Sequence, residues 1–417
     1  MKRAVAGVVG LPGKAVAAIM RRRARLPRFV NRAIDGVLDN PRSRLYRFLS
    51  RAASPFSASD TPAPTRRPRT LPAVYIAPAN YAGQGHQWAR ALRAAGIDAA
   101  NLAVVGPGAY SFPADSVVPV SVQLNSSVWQ RAEFDAAVSY GHVLIEAERQ
   151  LFGTLFDADV RREVEELGRE GVSVAMISHG TDVRIPSRHS AAHELSPFAD
   201  PGGYFDRVER MARRNVALLE ELGRPTFVST PDLLDFVSFA HWCPVTIDPA
   251  RWTAPRTPDA GPLRVVHAPT DPQLKGTALV EPTLERLDRA GVISYRRLER
   301  IPHEQMPARF AEADVVLDQF RLGLYSVTAV EAMAAGCVAI AHVPDRVRRR
   351  VADATGRDLP VVEAAPDELE RVLVELAEDR DRREAIAAES RVFAEEVHDG
   401  RLSAVVLRRH WIDGEAP

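Results

Sequence analysis

Residues 313–343 read ADVVLDQFRLGLYSVTAVEAMAAGCVAIAHV, in which two short apolar runs flank a segment rich in helix-forming residues. The first run, ADVVLDQF at 313–320, and the second, CVAIAHV at 337–343, have the length and composition of buried strands. The segment from about 326 to 335 between them has the spacing of a helix. A strand, a helix and a second strand in this order are typical of a parallel sheet with helices on its faces.

The same alternation continues on both sides of this stretch. A first series of strands is predicted at 71–78 (LPAVYIAP), 97–105 (IDAANLAVV), 134–140 (FDAAVSY), 172–178 (VSVAMIS) and 226–230 (TFVST), with helices at 87–96, around 158–170 and around 206–222. A second series has strands at 263–270 and 292–298, with helices from about 277, around 303–312, at 366–378 and at 381–397. Strands that alternate with helices predict the α/β class with doubly wound parallel sheets.

A stretch with four prolines, DPARWTAPRTPDAGP at 248–262, divides the alternation in two. We therefore predict two Rossmann-like domains, at 71–247 and 263–400, that face each other across a cleft. The last residues, 401–417, are predicted to form a helix that crosses back over the joint. Residues 1–70 precede both domains as a basic arm and linker. A chain of 417 residues is long enough for two or three domains, each with its own core.

The net charge of zero hides an asymmetry along the chain. Residues 1–70 contain 16 Lys and Arg against 3 Asp and Glu, and since the whole chain has 54 of each kind, the rest contains 38 against 51. An acidic body, and an arm with few aromatic residues, argue against a nucleic-acid partner. Cys243 and Cys337 match neither a disulfide framework nor a zinc pattern, which is typical of a cytoplasmic protein. No uncharged apolar run approaches the roughly 18 residues of a spanning helix.

The arm has the pattern of a basic amphipathic helix. Apolar side chains recur at helical spacing over 26–38, and Arg25, Arg28 and Arg32 lie on another face. Such a helix binds anionic membrane surfaces, which would attach residues 1–52 to the inner face of the membrane while the body stays in the cytoplasm. A solvated or partner-packed extension explains the pattern equally well, and both interpretations stay open.

A glycine-bearing loop follows the first predicted strand of the body. It contains Gly83, Gln84, Gly85 and His86, directly before a predicted helix. Glycine lets the backbone approach a phosphate or a sugar, and a helix N-terminus favours an anion. The loop is a candidate acceptor and phosphate site, although many turns between a strand and a helix carry glycines for geometry alone.

Three polar residues follow other predicted strands of the first half. His179 and Asp182 belong to the sequence HGTD directly after VSVAMIS, and His142 follows FDAAVSY. Polar groups at the carboxyl ends of strands are well placed to meet a ligand. The structural alternative for the first two is a glycine turn in which Asp182 caps the next segment.

Two candidates stand out in the second half. Lys275 is the one lysine of residues 71–417, and it precedes Gly276 and Thr277 in a loop that opens a helix. A compact ammonium beside helix-end N–H groups suits a diphosphate. Glu331 lies among small apolar neighbours near the end of the helix predicted from about 326. Such a carboxylate can accept both ribose hydroxyls of a nucleotide, or it can bond backbone donors in the core.

Taken together, the order of these motifs resembles glycosyltransferase family 4, which has the GT-B fold. The resemblance covers roughly 71–400. In the second half it rests on Lys275-Gly276, Pro302-His303, ADVVLDQF, the loop Gly323-Leu324-Tyr325-Ser326, and EAMAAG from Glu331. In the first half it rests on the glycine loop, HGTD and VSTPDLL at 228–234.

The resemblance implies transfer of a sugar from a nucleotide-sugar, bound mostly by the second domain, to an acceptor bound mostly by the first. Lys275 would hold the donor diphosphate and Glu331 the ribose, while His179 would lie near the reacting sugar. The reaction would retain the anomeric configuration, without a metal ion and without a cofactor. The full candidate set is His179, Asp182 and Arg321 for catalysis; Lys275, Gly276, Thr277, Tyr325, Ser326 and Glu331 for the donor; and Gly83, Gln84, Gly85, His86 and His142 for the acceptor and phosphates.

The sequence departs from the family pattern at two points. The position eight residues before Glu331, where the family has a second Glu that contacts donor-sugar hydroxyls, is Gly323. The loop before Lys275 lacks the usual basic residue, and Arg321 is a candidate to supply that cation. Two other functions therefore stay open beside a transferase with a lipid-linked or cell-envelope glycan acceptor. One is a non-catalytic adaptor that binds nucleotide or glycan, and the other is a nucleotide-sugar epimerase or hydrolase on the same fold.

Overall fold

A computed structural model of the chain describes residues 27–38, 43, 45–46, 61–106, 112–200, 205–254 and 261–414. The chain forms two compact units. Unit 1 comprises Met1–Ile185, Asp200–Thr226 and Gly414–Pro417, and unit 2 comprises Pro186–Ala199 and Phe227–Asp413. The domain limits at 71–247 and 263–400 were drawn from the composition of the linker and stay a prediction. Within the described ranges, no helix has both the length and the apolar character needed to cross a membrane.

The first sheet has seven strands in the order β3-β2-β1-β4-β5-β6-β7. They are β1 Ala73–Ala77, β2 Asp98–Val105, β3 Ser116–Pro119, β4 Gly141–Glu146, β5 Ser173–Ser178, β6 Thr226–Val228 and β7 His241–Trp242. Neighbouring strands run parallel, and every residue of the central β1 is buried. The strand order reverses between β1 and β4, and ligands of open α/β sheets bind outside the carboxyl ends of strands at such a point.

The second sheet has five parallel strands in the order β12-β11-β10-β8-β9. They are β8 Leu263–His267, β9 Ile293–Arg297, β10 Val315–Leu317, β11 Val338–Ala341 and β12 Val362–Glu363. Here the order reverses between β8 and β10, so the expected ligand position lies where those two strands end. The two parallel-sheet α/β units confirm the predicted fold class.

Helices cover both sheets. In unit 1 they are α1 Arg28–Leu38, α2 Gln84–Ala94, α3 Val120–Asn125, α4 Ser127–Val138, α5 Val160–Arg169 and α7 Asp206–Leu222. In unit 2 they are α6 Pro186–Ala192, α8 Pro272–Lys275, α9 Thr277–Arg289, α10 Met306–Ala311, α11 Val327–Ala334, α12 Asp345–Thr355, α13 Leu369–Glu378, α14 Arg380–Val397 and α15 Arg401–Leu407. One core of unit 2 joins the sheet to α9 and α13 through side chains such as Val265, Leu284, Leu317 and Leu373.

One predicted strand is wrong. FDAAVSY at 134–140 lies mostly in α4, which begins after Ser126, whose side chain accepts a hydrogen bond from the backbone N–H of Trp129. The capped start makes the apolar residues of this segment one face of a helix. The strand itself follows as GHVLIE, so His142 lies at the amino end of β4, beside β1 at Val74 and β5 at Ser173. The expected position of His142 at a carboxyl end is therefore wrong, because it lies at the amino end of β4, and its role as a site residue stays a prediction.

The arm helix is confirmed over Arg28–Leu38. Residues 1–26 lie outside the described part of the chain. Its buried positions are polar. Asn31 and Asp35 are each 1% exposed. Asp35 forms an ion pair with Arg210 of α7, in which Oδ2 lies 2.9 Å from Nη2. Phe29, by contrast, is 74% exposed. The helix therefore buries Asn31 and Asp35 against the rest of unit 1 and leaves the side chain of Phe29 exposed to solvent.

Two buried histidines predict that unit 2 loses stability in mild acid. Burial lowers the pKa of His267 and of His398 to about 4, against about 6.5 in an unfolded chain. The folded pKa lies below the unfolded one. The contribution of each neutral histidine to the free energy of unfolding is therefore complete above about pH 6.5 and is lost as the pH falls towards 4. At pH 5 the loss is about 2 kcal/mol for each histidine.

Urea unfolding at pH 7 and pH 5 checks this expectation. For a His398→Gln variant, the difference in free energy of unfolding between the two pH values should be smaller than for the wild type by about 2 kcal/mol. An unchanged pH dependence in the variant would show that His398 titrates in the folded chain as it does in the unfolded one.

Candidate functional site

The site in unit 2 begins at the carboxyl end of β8. Asp271 caps the short helix α8, where its carboxylate accepts hydrogen bonds from the backbone N–H groups of Gln273 and Leu274 at 3.0 and 3.1 Å. Lys275 is the last residue of that helix. Gly276 ends it with φ +80°, and a Cβ there would lie only 2.7 Å from Cγ of Arg321. Glycine at 276 is therefore required both by the turn and by the close approach of Arg321.

The Lys275 ammonium is held at the point where the strand order reverses. Its Nζ donates to the carboxylate of Asp318 and, at 2.8 Å, to the hydroxyl of Ser326. Asp318 directly follows β10, so the ion pair joins the ends of β8 and β10. Lys275 is 9% exposed and Asp318 is 1% exposed. Two of the predicted donor residues, Lys275 and Ser326, thus lie together, and the buried Asp318 joins them as an acidic partner that was not among the candidates.

Ser326 connects this ion pair to the start of α11. Its side chain accepts from the backbone N–H of Thr328 at 3.3 Å, and its own backbone N–H donates to Asp318 at 2.6 Å. Glu331 lies five residues further along the chain, which is about 7.5 Å along a helix axis. Lys275 therefore contacts the residue that caps the start of α11, and Glu331 lies further along the same helix.

Glu331 is paired with a histidine from the loop after β9. The Nε2 atom of His303 lies 2.7 Å from Oε1 of Glu331, which is 7% exposed. Since a carboxylate only accepts, the His303 ring donates from Nε2 and so fixes the direction of the carboxylate. His303 belongs to the sequence motif Pro302-His303, and nothing in that motif points to its contact with Glu331.

Two other predicted donor residues point into the interior of unit 2. Thr277 is 2% exposed, and its hydroxyl lies 2.9 Å from Nε2 of His267. Tyr325 is 1% exposed, and its hydroxyl lies 3.3 Å from Nε2 of His398. Both side chains therefore contact histidines inside unit 2, and their role in donor binding stays a prediction.

Arg321 and Gly323 contact the segment that contains α6. Arg321 donates to the backbone carbonyls of Leu195 at 2.8 Å and Ser196 at 2.9 Å. Gly323 has φ +65°, and a Cβ there would lie 2.6 Å from Cε1 of His193. An imidazole therefore occupies the space next to the position where the family pattern has Glu. In the structure the Arg321 guanidinium holds this segment.

In unit 1, Glu146 is the centre of a second cluster. It ends β4 and accepts hydrogen bonds from the backbone N–H groups of Ala79 and Asn80, both at 3.0 Å, in the loop after β1. A Cβ on Gly85 would lie 2.5 Å from Nδ2 of Asn101 and 3.0 Å from the Glu146 carboxylate. Gly85 is thus required for the N-terminus of α2 to come this close to Glu146.

His179 meets the same carboxylate from the end of β5. Its Nε2 lies 3.3 Å from Oε1 of Glu146, and its ring packs against Tyr81 and Trp88, with ring centres 5.2 and 5.5 Å away. The carboxylate of Asp182 accepts the backbone N–H groups of His179, at 2.7 Å, and Gly180. Asp182 therefore has the capping role that was the structural alternative, while His179 is the candidate that faces the cluster.

The rest of the glycine loop is a compact turn. Gly83 has φ +75° and is the N-cap residue directly before α2, whose second turn contains Trp88. Gln84 is buried, and the backbone N–H of His86 donates to the side chain of Asn80 at 3.0 Å. The His86 ring lies 3.2 Å from Asp115. The loop therefore brings Gly85 to Glu146 and turns the His86 ring towards Asp115.

Among the described residues, no group of three or more His, Cys, Asp or Glu side chains is arranged to hold a metal ion. Independence from a metal and from a cofactor stays a prediction, because this observation concerns only protein ligands that lie close together in the described ranges.

Comparison with known proteins gives similar folds and no sequence relative. No family model matches the chain, and no curated protein matches it. Sucrose-phosphate synthase from Thermosynechococcus elongatus is 12% identical over 81% of this chain and 98% of that chain, with a TM-score of 0.49. HepE from Anabaena, solved with UDP and glucose, is 11% identical over 81% and 98%, with a TM-score of 0.48. WaaG, a glycosyltransferase involved in lipopolysaccharide biosynthesis, is 13% identical over 81% and 99%, with a TM-score of 0.47.

Proposed function

We propose that the chain is a glycosyltransferase that moves a sugar from a nucleotide-sugar donor to a glycan or lipid-linked acceptor. The observation that carries the proposal is that the Lys275 ammonium contacts Asp318 and Ser326 near the point where the strand order of the second sheet reverses, with Glu331 further along α11. Cations and helix N-termini stabilise phosphate oxygens, and a carboxylate recognises ribose hydroxyls. The order of motifs in the sequence supports the same function.

For the donor, an ammonium has three N–H groups, and among the described residues Nζ of Lys275 has two hydrogen-bond partners, Asp318 and Ser326. We assign the third N–H to an oxygen of the donor diphosphate, beside the N-terminus of α11. Glu331, oriented by His303, would accept the ribose hydroxyls. As the glycosidic bond to the diphosphate breaks, Lys275 and the helix N-terminus would stabilise the departing phosphate without a metal ion.

For the acceptor, the candidate face of unit 1 is the cluster around Glu146. His179 would lie beside the reacting sugar, where the aromatic rings of Tyr81 and Trp88 fix its imidazole. Retention of the anomeric configuration is the outcome that the family resemblance implies, and it belongs to the same proposal. A non-catalytic adaptor is the second candidate, because Gly323 lacks the side chain that the family pattern has there.

Calorimetric titration with UDP, GDP and their sugars tests the donor site. We expect Glu331→Ala to weaken the nucleotide that the wild type binds by about 1.5–3 kcal/mol, or roughly 10- to 100-fold, because a charge-assisted contact is lost. Glu304→Ala removes an exposed carboxylate from the loop after β9 and serves as the matched control. Equal losses in both variants, or no binding by the wild type, would overturn the assignment. Binding without sugar transfer to any of a panel of glycan and lipid-linked acceptors would favour the adaptor.

We also propose attachment to the cytoplasmic face of the membrane through the arm. The exposed Phe29 and Arg32 on α1 support a peripheral contact. Because α1 packs on unit 1 through Asp35, the test removes only residues 1–26 and separately changes Phe29→Asp. Flotation with anionic liposomes should recover the full chain and less of either variant, whereas equal recovery of all three would refute the attachment.

A further inference from the structure

Unit 1 contains a cavity of about 700 Å³ that none of the predicted site residues lines. It lies beyond the carboxyl ends of β1, β2 and β4, between the loop after β4, the start of α5 and one side of α7. Its volume is in the range of small-molecule sites in proteins. Tyr46, from the chain segment before the first sheet, also lines it.

The walls of the cavity carry an excess of positive charge. Four guanidinium groups line it, from Arg149, Arg161, Arg207 and Arg214. One of them, Arg161, is paired with Glu221 at 2.6 Å, outside the cavity. Guanidinium groups are the side chains that bind phosphate oxygens most strongly, so the lining has the chemistry of an anion site.

Two acidic side chains also line the cavity, Glu148 and Asp159. Burial, together with the nearby Asp182, raises the pKa of Glu148 well above its usual value. The carboxylate of Asp159 caps α5, where it accepts the backbone N–H of Arg161 at 3.1 Å. The lining therefore holds four guanidinium groups against two acidic side chains.

Apolar side chains also line the cavity. Val104, Leu124, Met211 and Leu218 come from β2, α3 and α7 and face the same space. A ligand that fills the cavity therefore needs an apolar body as well as an anionic group, since burying apolar surface contributes about 25 cal/mol per Å².

The cavity is connected to the turn that holds His179. The Glu148 carboxylate accepts from the hydroxyl of Ser178 at 2.7 Å, and Asn215 donates to the backbone carbonyl of Asp182 at 3.1 Å. On the other side, the Arg149 guanidinium lies 5.2 Å from the centre of the Tyr81 ring, whose edge meets His179. A molecule bound in the cavity thus lies next to the candidate catalytic face of unit 1.

We infer that this cavity binds the acceptor through a phosphate or diphosphate carried on an apolar chain. The arginines bind the phosphate oxygens, and the apolar wall packs against the first carbons of the chain. The assignment to the acceptor rests on the proposed transferase function, whereas the binding of the anion rests on the cavity alone.

Calorimetry with geranyl diphosphate, geraniol and inorganic diphosphate, each in the presence of saturating UDP, tests this inference. UDP keeps the probes out of the donor site. We expect geranyl diphosphate to bind at least tenfold more tightly than either of the other two. Equal affinity for inorganic diphosphate would overturn the apolar part of the proposal, and equal affinity for geraniol would overturn the anionic part.

The variants separate this cavity from other sites. Arg149→Gln together with Arg214→Gln should weaken geranyl diphosphate at least tenfold and leave UDP binding unchanged. Arg213→Gln, on the same helix but paired with Glu209 and outside the lining, should change neither. Loss in the Arg213 control, or no loss in the double variant, would refute the cavity as the site. Failure of the transferase proposal would appear separately, as a wild type that binds geranyl diphosphate but no nucleotide.

Discussion

Lys275→Met is expected to lower the free energy of unfolding by about 3–5 kcal/mol, because it leaves the carboxylate of Asp318 buried without its cation. Asp318 is 1% exposed, and its remaining partners are the hydroxyl and the backbone N–H of Ser326. Those two neutral donors do not balance a full charge in the interior. Urea unfolding, followed by fluorescence, measures the loss.

The double variant Lys275→Met and Asp318→Asn separates stability from binding. Removing both charges should restore at least half of the lost stability, because the amide can still accept from Ser326 and no buried charge is left. If Lys275 holds the donor diphosphate, this folded variant should nevertheless bind UDP or GDP at least tenfold more weakly than the wild type does.

A surface pair provides the control. Arg286→Met breaks the ion pair with Glu370, which joins two exposed side chains of the same unit, and it should leave both stability and nucleotide binding close to the wild type. A Lys275→Met protein as stable as the wild type would show that Asp318 finds other compensation. Wild-type nucleotide affinity in the double variant would remove Lys275 from the donor site.

The sequence was sufficient for most of the central strands of both sheets and for several residues next to their ends. Short apolar runs such as LPAVYIAP and CVAIAHV can hardly be anything but buried strands, and β1 and β11 lie within them. Lys275 could be singled out because lysine is so rare in this chain. Its partner Asp318 could not, since 43 residues separate them and an aspartate after a strand is an ordinary turn residue.

The wrong position predicted for strand β4 explains why Glu146 was not among the candidate residues. The apolar run FDAAVSY fits a strand or a helix, and the decision is made outside it, by the cap at Ser126. Once the strand was placed seven residues too early, Glu146 fell in a loop and His142 at a carboxyl end. In the structure, Glu146 lies at the carboxyl end of β4 and His142 lies near its amino end. The periodicity of the apolar residues alone does not give the position of β4, because that position depends on where helix α4 begins.

Gly323→Glu, which would restore the family pattern, is expected to destabilise the chain by about 2–5 kcal/mol instead. The backbone at 323 has φ +65°, which costs a residue with a Cβ about 1–2 kcal/mol, and the Cβ would lie 2.6 Å from Cε1 of His193. His193 has little room to yield, because its Nε2 accepts a 2.5 Å hydrogen bond from Arg346 and its ring stacks on His189. Overpacking of this kind costs a further 1–3 kcal/mol.

Gly323→Ala and the double variant Gly323→Glu with His193→Ala divide this loss into its two causes. Alanine keeps the backbone cost and the contact of the Cβ, without the longer side chain. The double variant removes the imidazole, so it should recover the steric part and keep the backbone part. Denaturant unfolding of the three variants measures each share. A Gly323→Glu protein as stable as the wild type would mean that the loop adopts another backbone conformation, with His193 displaced. The contacts of Arg321 with Leu195 and Ser196 argue against this, because they hold the segment that contains His193 against the loop.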